Sequence, residues 1–428
     1  MKNKKETLLI LTILITICII IFNRDKLYEA KYTEPKDTLL AITINGEIST
    51  TFPTTKYYET SVECTTGTGK VEWNGTKWVL TTNGITKGST KCNATFITKV
   101  PTFAETILAN NKVKAPITTP GATISTASEA LLASTEDDYG TSYYFRGAVT
   151  NNYVEFANKC WRIVRVGGDG SVKLILHNDN PTGAANPCDA ANNSASAAFA
   201  HYNGSTYTSR FNENYDDNAY IGFKYGTPGS SKYETTHANT NKSTILTNLE
   251  TWYTNNLKTY ESVIDNSVWC NDKTNVTDTS YDPWSITPNG LGYAKNVTYY
   301  GATKRLVGTS GSAGGTGPSL KCNGDLSKIN SKIGLITADE LALAGYAYAK
   351  NNTTIYLQEN ATDTYWCSLS PSSFRGVGAG VWLVGGSSGY FVNDGVGNTR
   401  VVRPLISLKS TTNVTGEGTS SAPYIISM

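Results

Sequence analysis

Residues 385–389, Gly-Gly-Ser-Ser-Gly, match the G-x-S-x-G pattern of serine hydrolases. That pattern exposes its serine at a sharp turn between a strand and a helix. Here the following residues, Tyr390–Val392, continue as a strand-like run instead of opening a helix. Only His177, His201 and His237 are available as a catalytic base. The motif therefore predicts a hairpin turn, and the sequence predicts no catalytic residue, no cofactor and no enzyme.

The cysteines are spaced for disulfide bonds rather than for a metal ion. None of the eight cysteines forms a C-x-x-C pair, and the acidic run at 136–138 lacks the spaced ligands of a calcium loop, so no metal site is predicted. Cys18 lies in an apolar N-terminal run, and Cys367 is left without a partner. Structural disulfides are predicted, with free buried thiols as the alternative. The predicted pairs are Cys64–Cys92, Cys160–Cys188 and Cys270–Cys322.

Aromatic and polar residues near the C-terminus are the candidates for binding a ligand. They lie in two loop-like segments, 363–375 and 393–400, and at the start of the strand between them. Exposed aromatic rings contribute binding energy at little cost in conformational entropy, and core packing is the alternative for Trp366. Arg403 is predicted to support a loop through hydrogen bonds. The ligand-binding candidates are Tyr365, Trp366, Tyr390, Asn393, Asp394 and Arg400.

The N-terminus predicts export across a membrane. Lys2, Lys4 and Lys5 precede sixteen mostly apolar residues, Thr7–Phe22. A helix of that length spans roughly 24 Å, slightly less than a hydrocarbon core of about 30 Å. A cleaved signal peptide has small residues at positions −3 and −1 before the cut. Cleavage after Ala30 would place the large Tyr28 at −3, so an uncleaved anchor is favoured over a removed signal. We expect a single-pass protein of the cell membrane whose bulk is extracellular.

Composition supports a water-facing exported chain. Charged residues make up 17% of the sequence, below the usual value of about 25%, while 26 tyrosines and many Thr, Asn, Ser and Gly residues are present. The formal net charge of +2 argues against a nucleic-acid partner. At 428 residues the chain has room for two or three domains.

Hydrophobic periodicity divides the chain into four regions. Residues 1–30 form the predicted transmembrane anchor, 31–100 a small β-sandwich-like module, 101–136 a short helix and a Pro/Thr/Ser-rich linker, and 137–428 the main domain. Two helices are predicted in the main domain, one capped by Ser243 and one opened by the capping box Thr337-Ala338-Asp339-Glu340.

Strands are predicted on both sides of these two helices. A strand at Thr353–Leu357 precedes a closing meander of Val381–Val384, Tyr390–Val392 and Val401–Leu408. Long irregular connections separate the helices, and residues 178–240 are predicted as loops. The expected class is α+β.

Several segments of the main domain resemble an uncharacterised family of exported bacterial surface proteins. They are YYFRGAVTNNYVEFANKCWRIVRV from Tyr143, IGLITADELALAG from Ile333, SPSSF from Ser370, VWLVGG from Val381 and VVRPLISL from Val401. The closing segments are also similar to bacterial C-type-lectin-like domains, which include sulfatase-modifying-factor-like proteins and retroelement variable proteins. The resemblance implies a C-type-lectin-like domain with two helices and long loops. The calcium tripeptides Glu-Pro-Asn and Gln-Pro-Asp of sugar-binding members are absent.

Together these features predict a binding protein. The expected function is a membrane-anchored, adhesin-like extracellular protein that recognises a cell-surface glycan or protein through the loops of its main domain. The alternative is a structural or assembly component of the bacterial cell envelope with no small ligand.

Overall fold

A computed structural model describes residues 39–86, 88–322 and 324–428. The predicted α+β class is wrong, because the fold is mainly β, with 36% strand and 13% helix. The connections expected to be irregular contain several short paired strands, while the longest helix of the described residues has 13 residues. The chain divides into two compact units, one ending at Pro101 and one beginning at Thr102.

The first unit is built only from strands in its described residues. One sheet has the order β2-β1-β6-β3, in which β1 and β6 are parallel, and β4 and β5 form a separate hairpin. Asn45 and Gly46 take positive φ values of 50° and 87°, as the tight turn between β1 and β2 requires. The strands are β1 (Leu39–Ile44), β2 (Glu47–Ser49), β3 (Tyr58–Cys64), β4 (Thr68–Trp73), β5 (Trp78–Asn83) and β6 (Lys91–Thr98).

The core of the first unit joins this sheet to the hairpin. Ile42 and Phe96 of the sheet are buried in one cluster with Val71 and Leu80 of the hairpin. The predicted Cys64–Cys92 disulfide connects β3 to β6 at directly paired positions. A core of this size is marginal for an independent unit, so the covalent link adds stability where burial supplies little.

The second unit contains a large sheet that joins its first five strands to its last three. Its order is β24-β11-β10-β9-β26-β25, with β8 paired to β10 and β7 paired to β8. The late strand β24 thus lies beside the early strand β11. The strands are β7 (Ala130–Asp137), β8 (Gly140–Gly147), β9 (Tyr153–Phe156), β10 (Lys159–Val166), β11 (Val172–Asn178), β24 (Leu405–Leu408), β25 (Val414–Thr415) and β26 (Tyr424–Ile426).

A second sheet holds most of the closing strands. Its order is β14-β23-β20-β21-β22, and β18 pairs with β20. The predicted run Val401–Leu408 is split at Pro404 between this sheet and the large one, since β23 ends at Val401 and β24 begins at Leu405. The strands are β14 (Thr208–Arg210), β18 (Thr298–Tyr299), β20 (Trp366–Phe374), β21 (Ala379–Gly385), β22 (Tyr390–Gly395) and β23 (Thr399–Val401).

Three further strand pairs lie in the long connections of the second unit. They are β12 (His201–Tyr202) with β13 (Ser205–Thr206), β15 (Lys224–Tyr225) with β16 (Asn241–Lys242), and β17 (Ser267–Cys270) with β19 (Lys328–Ser331). The segment 353–357, predicted as a strand, is a turn region instead.

Five α-helices are present in the described residues. Ser243 caps the longest, with its Oγ accepting from Leu246 N, and the Thr337 capping box is formed in full, so both predicted helix starts are confirmed. The helices are α1 (Phe103–Asn110), α2 (Tyr233–Thr236), α3 (Thr244–Asn256), α4 (Gly301–Leu306) and α5 (Ala338–Ala344).

A short helix and a linker are expected at 101–136, and residues 102–136 of that region are counted in the second unit. Glu129 and Arg146 are both fully buried, and their Oε1 and Nε atoms lie 2.9 Å apart. Gly147 makes this approach possible, because a Cβ atom there would lie 1.6 Å from the Glu129 carbonyl oxygen. The buried ion pair therefore holds the Pro/Thr/Ser-rich segment against β8.

None of the helices in residues 39–86, 88–322 and 324–428 is long and apolar enough to cross a membrane. The transmembrane anchor predicted at residues 1–30 lies outside the described residues.

Candidate functional site

A groove of about 400 Å³ lies between the β12–β13 hairpin and the C-terminal turns of α3. Three of its lining residues are aromatic, Tyr202, Tyr207 and Trp252. The other five carry amide, hydroxyl or imidazole groups: His201, Asn203, Thr251, Asn255 and Asn256. The lining contains no Asp, Glu, Lys or Arg. Its chemistry is thus that of a neutral, aromatic site rich in hydrogen-bonding groups.

The hairpin side of the groove presents two tyrosine rings. Asn203 and Gly204 have φ values of 49° and 77°, the conformation of a two-residue hairpin turn. This turn places Tyr202 on the surface with 57% of its area exposed. The Tyr202 and Tyr207 ring centroids are 6.4 Å apart. Partial burial and the neighbouring Tyr202 raise the pKa of Tyr207, so the Tyr207 phenol is a neutral donor at physiological pH.

The helix side of the groove presents polar groups at helical spacing. Thr251 and Asn255 are four residues apart, as are Trp252 and Asn256, so both pairs lie on neighbouring lines of one face. Asn256 Nδ2 donates to the Trp252 carbonyl at 2.8 Å, which fixes that amide. The side chains of Thr251 and Asn255 are exposed, while Trp252 is 4% exposed and packs against Trp161.

Charges behind the groove compensate one another. Asp179 Oδ1 lies 2.8 Å from Lys159 Nζ, and Asp179 Oδ2 accepts from the His201 backbone N–H at 2.6 Å. The same oxygen lies 3.5 Å from His201 Nδ1. Lys159 Nζ also lies 5.5 Å from the Trp252 ring centroid. This buried cluster positions His201 and Trp252 without presenting a net charge to the groove.

None of the six ligand-binding residues predicted from the sequence lines this groove. One of them, Trp366, is a buried core residue. Trp366 is 0% exposed, and the guanidinium carbon of Arg403 lies 4.8 Å from its ring centroid. Arg403 is itself buried and donates to the carbonyl oxygens of Leu176 and Leu357 at 2.9 and 2.5 Å. Burial lowers the pKa of Arg403 to about 10.

Three of the other predicted residues are brought together on the surface. Tyr365 is 42% exposed, and the guanidinium of Arg400 lies 5.2 Å from its ring centroid. Arg400 forms an ion pair with Asp394. Tyr390 is half-buried at the start of β22, and Asn393 on the same strand accepts a hydrogen bond from Arg375 at 3.4 Å.

The hydrolase-like motif is a hairpin turn. Residues 385–389 connect β21 to β22, which pair antiparallel on either side of it. Gly386 and Gly389 have φ values of 23° and 60°. A strand follows the motif where a nucleophile elbow requires a helix, as the sequence predicted. In the part of the chain that the structure describes, no group of three or more His, Cys, Asp or Glu residues is placed to hold a metal ion.

The predicted cysteine pairs are bonded in the structure. Cys64–Cys92, Cys160–Cys188 and Cys270–Cys322 are disulfides. Cys367 is free and buried, and burial raises the pKa of its thiol to about 12. A thiol in this state is not a nucleophile at neutral pH.

The groove itself was missed in the sequence. Its clearest local signal is Asn203-Gly204, a hairpin dipeptide with tyrosines at 202 and 207 on either side. The second signal is the polar pair Thr251 and Asn255 on one face of an otherwise amphipathic helix. Only the folded chain shows that these two surfaces meet.

No protein-family model matches the chain, and neither a curated protein nor a solved structure is similar to it. The resemblance to exported bacterial surface proteins therefore stays a prediction. What the protein does must be inferred from the residues of its own surface.

Proposed function

We propose that this protein is an extracellular binding protein that takes a neutral saccharide in the groove between the β12–β13 hairpin and α3. The observation that carries the proposal is the composition of this groove. An exposed tyrosine stands beside a second tyrosine, opposite exposed amide and hydroxyl groups, and the lining contains no acidic or basic chain other than His201.

The aromatic rings supply an apolar contact surface. One face of a pyranose ring carries C–H groups with slight positive charge, and an aromatic ring has a negative face. Tyr202 is exposed at the tip of a short hairpin, so such a ring can reach it. Tyrosine buries a large area at the cost of few rotatable bonds, which favours binding.

The polar residues of the groove can orient a bound sugar through hydrogen bonds. An asparagine amide donates and accepts hydrogen bonds, and it therefore matches neighbouring hydroxyl groups of a sugar, each of which also donates and accepts. Asn203 and Asn255 lie on opposite sides of the groove and are both exposed. A charged ligand would gain less here, because the Lys159 and Asp179 charges behind the groove are already paired.

An extracellular location fits the covalent structure. The three disulfides are compatible with an oxidising environment. Attachment to a membrane through residues 1–30 belongs to the same proposal and depends on the sequence alone.

A glycan array tests the proposal. The full chain, purified with its disulfides intact, is screened together with Tyr202→Ala and Asn255→Ala, which change exposed side chains of the groove. Tyr365→Ala is the matched control, because Tyr365 is also an exposed tyrosine but lies beside Arg400. We expect binding of neutral glycans by the wild type and the control, and its loss in both groove variants.

Two outcomes would overturn the proposal. Binding that is lost in Tyr365→Ala and kept in the groove variants would move the site to the residues predicted from the sequence. A wild-type protein that binds no glycan but forms ordered assemblies would favour the structural role in the cell envelope.

A further inference from the structure

Arg375 is an exposed arginine without an acidic partner. In the described part of the chain, six other arginines have a carboxylate oxygen within 4 Å of a guanidinium nitrogen, whereas Arg375 has none. Those six are Arg146, Arg162, Arg165, Arg210, Arg305 and Arg400. Arg403 also has no carboxylate partner, but it is buried. Arg375 thus presents an uncompensated positive charge to solvent.

The position of this guanidinium is fixed by its neighbours. Arg375 follows β20, and its backbone N–H donates to the Gly378 carbonyl at 3.1 Å in the turn that leads into β21. The guanidinium carbon lies 4.9 Å from the Trp284 ring centroid, and Nη2 donates to Asn393 Oδ1 at 3.4 Å. A planar cation that rests on an aromatic face keeps its remaining N–H groups directed outward.

A depression of about 270 Å³ lies beside Arg375. Ser373, Asn393 and the backbone of Gly378 and Gly380 form part of its lining. The space is small, so it fits one substituent of a ligand and not an extended chain.

One buried polar group that lines this depression has no hydrogen-bond partner among the described residues. Asn393 Nδ2 is inaccessible to solvent and unpartnered. Buried donors of this kind are costly unless a ligand or solvent satisfies them.

One acidic residue, Asp394, also lines the depression, but its negative charge is neutralised by a neighbouring arginine. It forms an ion pair with Arg400, and its Oδ1 accepts from Gly395 N at 2.8 Å and from Asn398 Nδ2 at 2.7 Å. Arg375 is therefore the uncompensated charge of this surface.

We propose that the depression beside Arg375 is a second binding site, which takes the carboxylate group of an acidic saccharide. The guanidinium of Arg375 pairs with the carboxylate, and the Asn393 amide donates to one of its oxygens or to the adjacent ring hydroxyl. The anionic chemistry follows from Arg375 itself, whereas the saccharide nature of the ligand depends on the proposed function.

Two matched probes test the site on the full chain. Methyl glucuronide and methyl glucoside differ only by a carboxylate in place of a hydroxymethyl group, and saturation-transfer NMR titrations measure their binding. The variants are Arg375→Gln, which removes the charge, and Arg375→Lys, which keeps it without the planar fork. Arg210→Gln is the control, because Arg210 is exposed but is already paired with Glu213 at 2.8 Å.

We expect the glucuronide to bind the wild type more tightly than the glucoside does. Arg375→Gln should weaken glucuronide binding about tenfold or more, Arg375→Lys should weaken it less, and Arg210→Gln should leave it unchanged. Higher salt should weaken glucuronide binding alone.

The two proposals fail in distinguishable ways. Equal binding of both sugars, unaffected by Arg375→Gln, would overturn the second site and leave the groove proposal standing. If neither sugar binds at any accessible concentration, the second site is wrong, whereas the groove proposal is decided separately by the glycan array.

Discussion

Replacing Glu340 by Gln should destabilise the second unit strongly, because its carboxylate is fully used inside the fold. Oε1 accepts from Arg165 Nε at 2.9 Å and from Lys173 Nζ at 3.1 Å. Oε2 accepts from the backbone N–H and the hydroxyl of Thr337 at 2.9 and 3.2 Å, which completes the capping box of α5. Glutamine keeps the shape but leaves Lys173 without this carboxylate.

The magnitude follows from the pKa of Glu340. Burial alone would raise this pKa, but Lys173 and Arg165 outweigh it and lower the pKa from 4.5 to about 2. At about 1.4 kcal/mol per pKa unit, the difference stabilises the folded state by about 3 kcal/mol at neutral pH. A folded-state pKa below the unfolded value means that this stability is fully present above about pH 4.5. It is lost as the pH falls towards 2.

Urea unfolding of the full chain, followed by near-UV circular dichroism, measures the effect on the second unit. Glu340→Gln should lower the free energy of unfolding by about 3 kcal/mol at pH 7 and by about half as much at pH 3. Glu213→Gln is the control, with a loss below about 1 kcal/mol, because the Glu213 side chain is 60% exposed in its pair with Arg210. A loss at pH 7 no larger than that of the control, or one equal at both pH values, would refute the reasoning.

Three further predictions concern burial and covalent links. Trp366→Ala should cost about 3–5 kcal/mol of unfolding free energy in urea titrations, because the ring is fully buried beneath Arg403; a change confined to ligand binding would contradict this. Replacing Cys64 and Cys92 together by Ala should destabilise the first unit by about 3–4 kcal/mol in differential scanning calorimetry, and an unchanged transition would contradict it. Cys367 should resist iodoacetamide in the native protein at pH 8 and react after unfolding, as mass spectrometry would show, since its thiol is buried with a pKa of about 12.

Local signals in the sequence were sufficient for helix starts and tight turns. The capping box at Thr337 and the cap at Ser243 occur as predicted, because each depends on residues only three positions apart. The turn at 385–389 occurs for the same local reason. The three disulfides could be paired from chain position: Cys64 and Cys92 share one compact segment, Cys188 follows the hairpin that Cys160 begins, and Cys270 and Cys322 bracket a long insertion.

Long-range pairing was beyond the sequence. The serines of β20 predict a polar loop, yet this strand lies between β21 and β23 with all nine residues buried. That position explains why Trp366 is a core residue. The sequence predicts one strand over Val401–Leu408, whereas Pro404 separates β23 and β24, and β24 pairs with the distant β11.

The candidate site depends on the same kind of pairing. Its hairpin and its helix are about forty residues apart in the chain, and neither surface is a site alone. The N–H of Val402 donates to the Tyr207 carbonyl at 3.2 Å, so the strand after the hairpin is held in place by the C-terminal part of the chain. No local pattern contains that contact.

Isothermal titration of the best-binding neutral glycan against wild type, Tyr202→Ala and Tyr365→Ala tests the groove proposal most directly. Both tyrosines are exposed, so neither substitution removes core packing. The proposal predicts that Tyr202→Ala weakens affinity about tenfold or more, as expected for loss of an aromatic contact, while Tyr365→Ala keeps wild-type affinity. Unchanged affinity in Tyr202→Ala, or a loss in Tyr365→Ala instead, would contradict it.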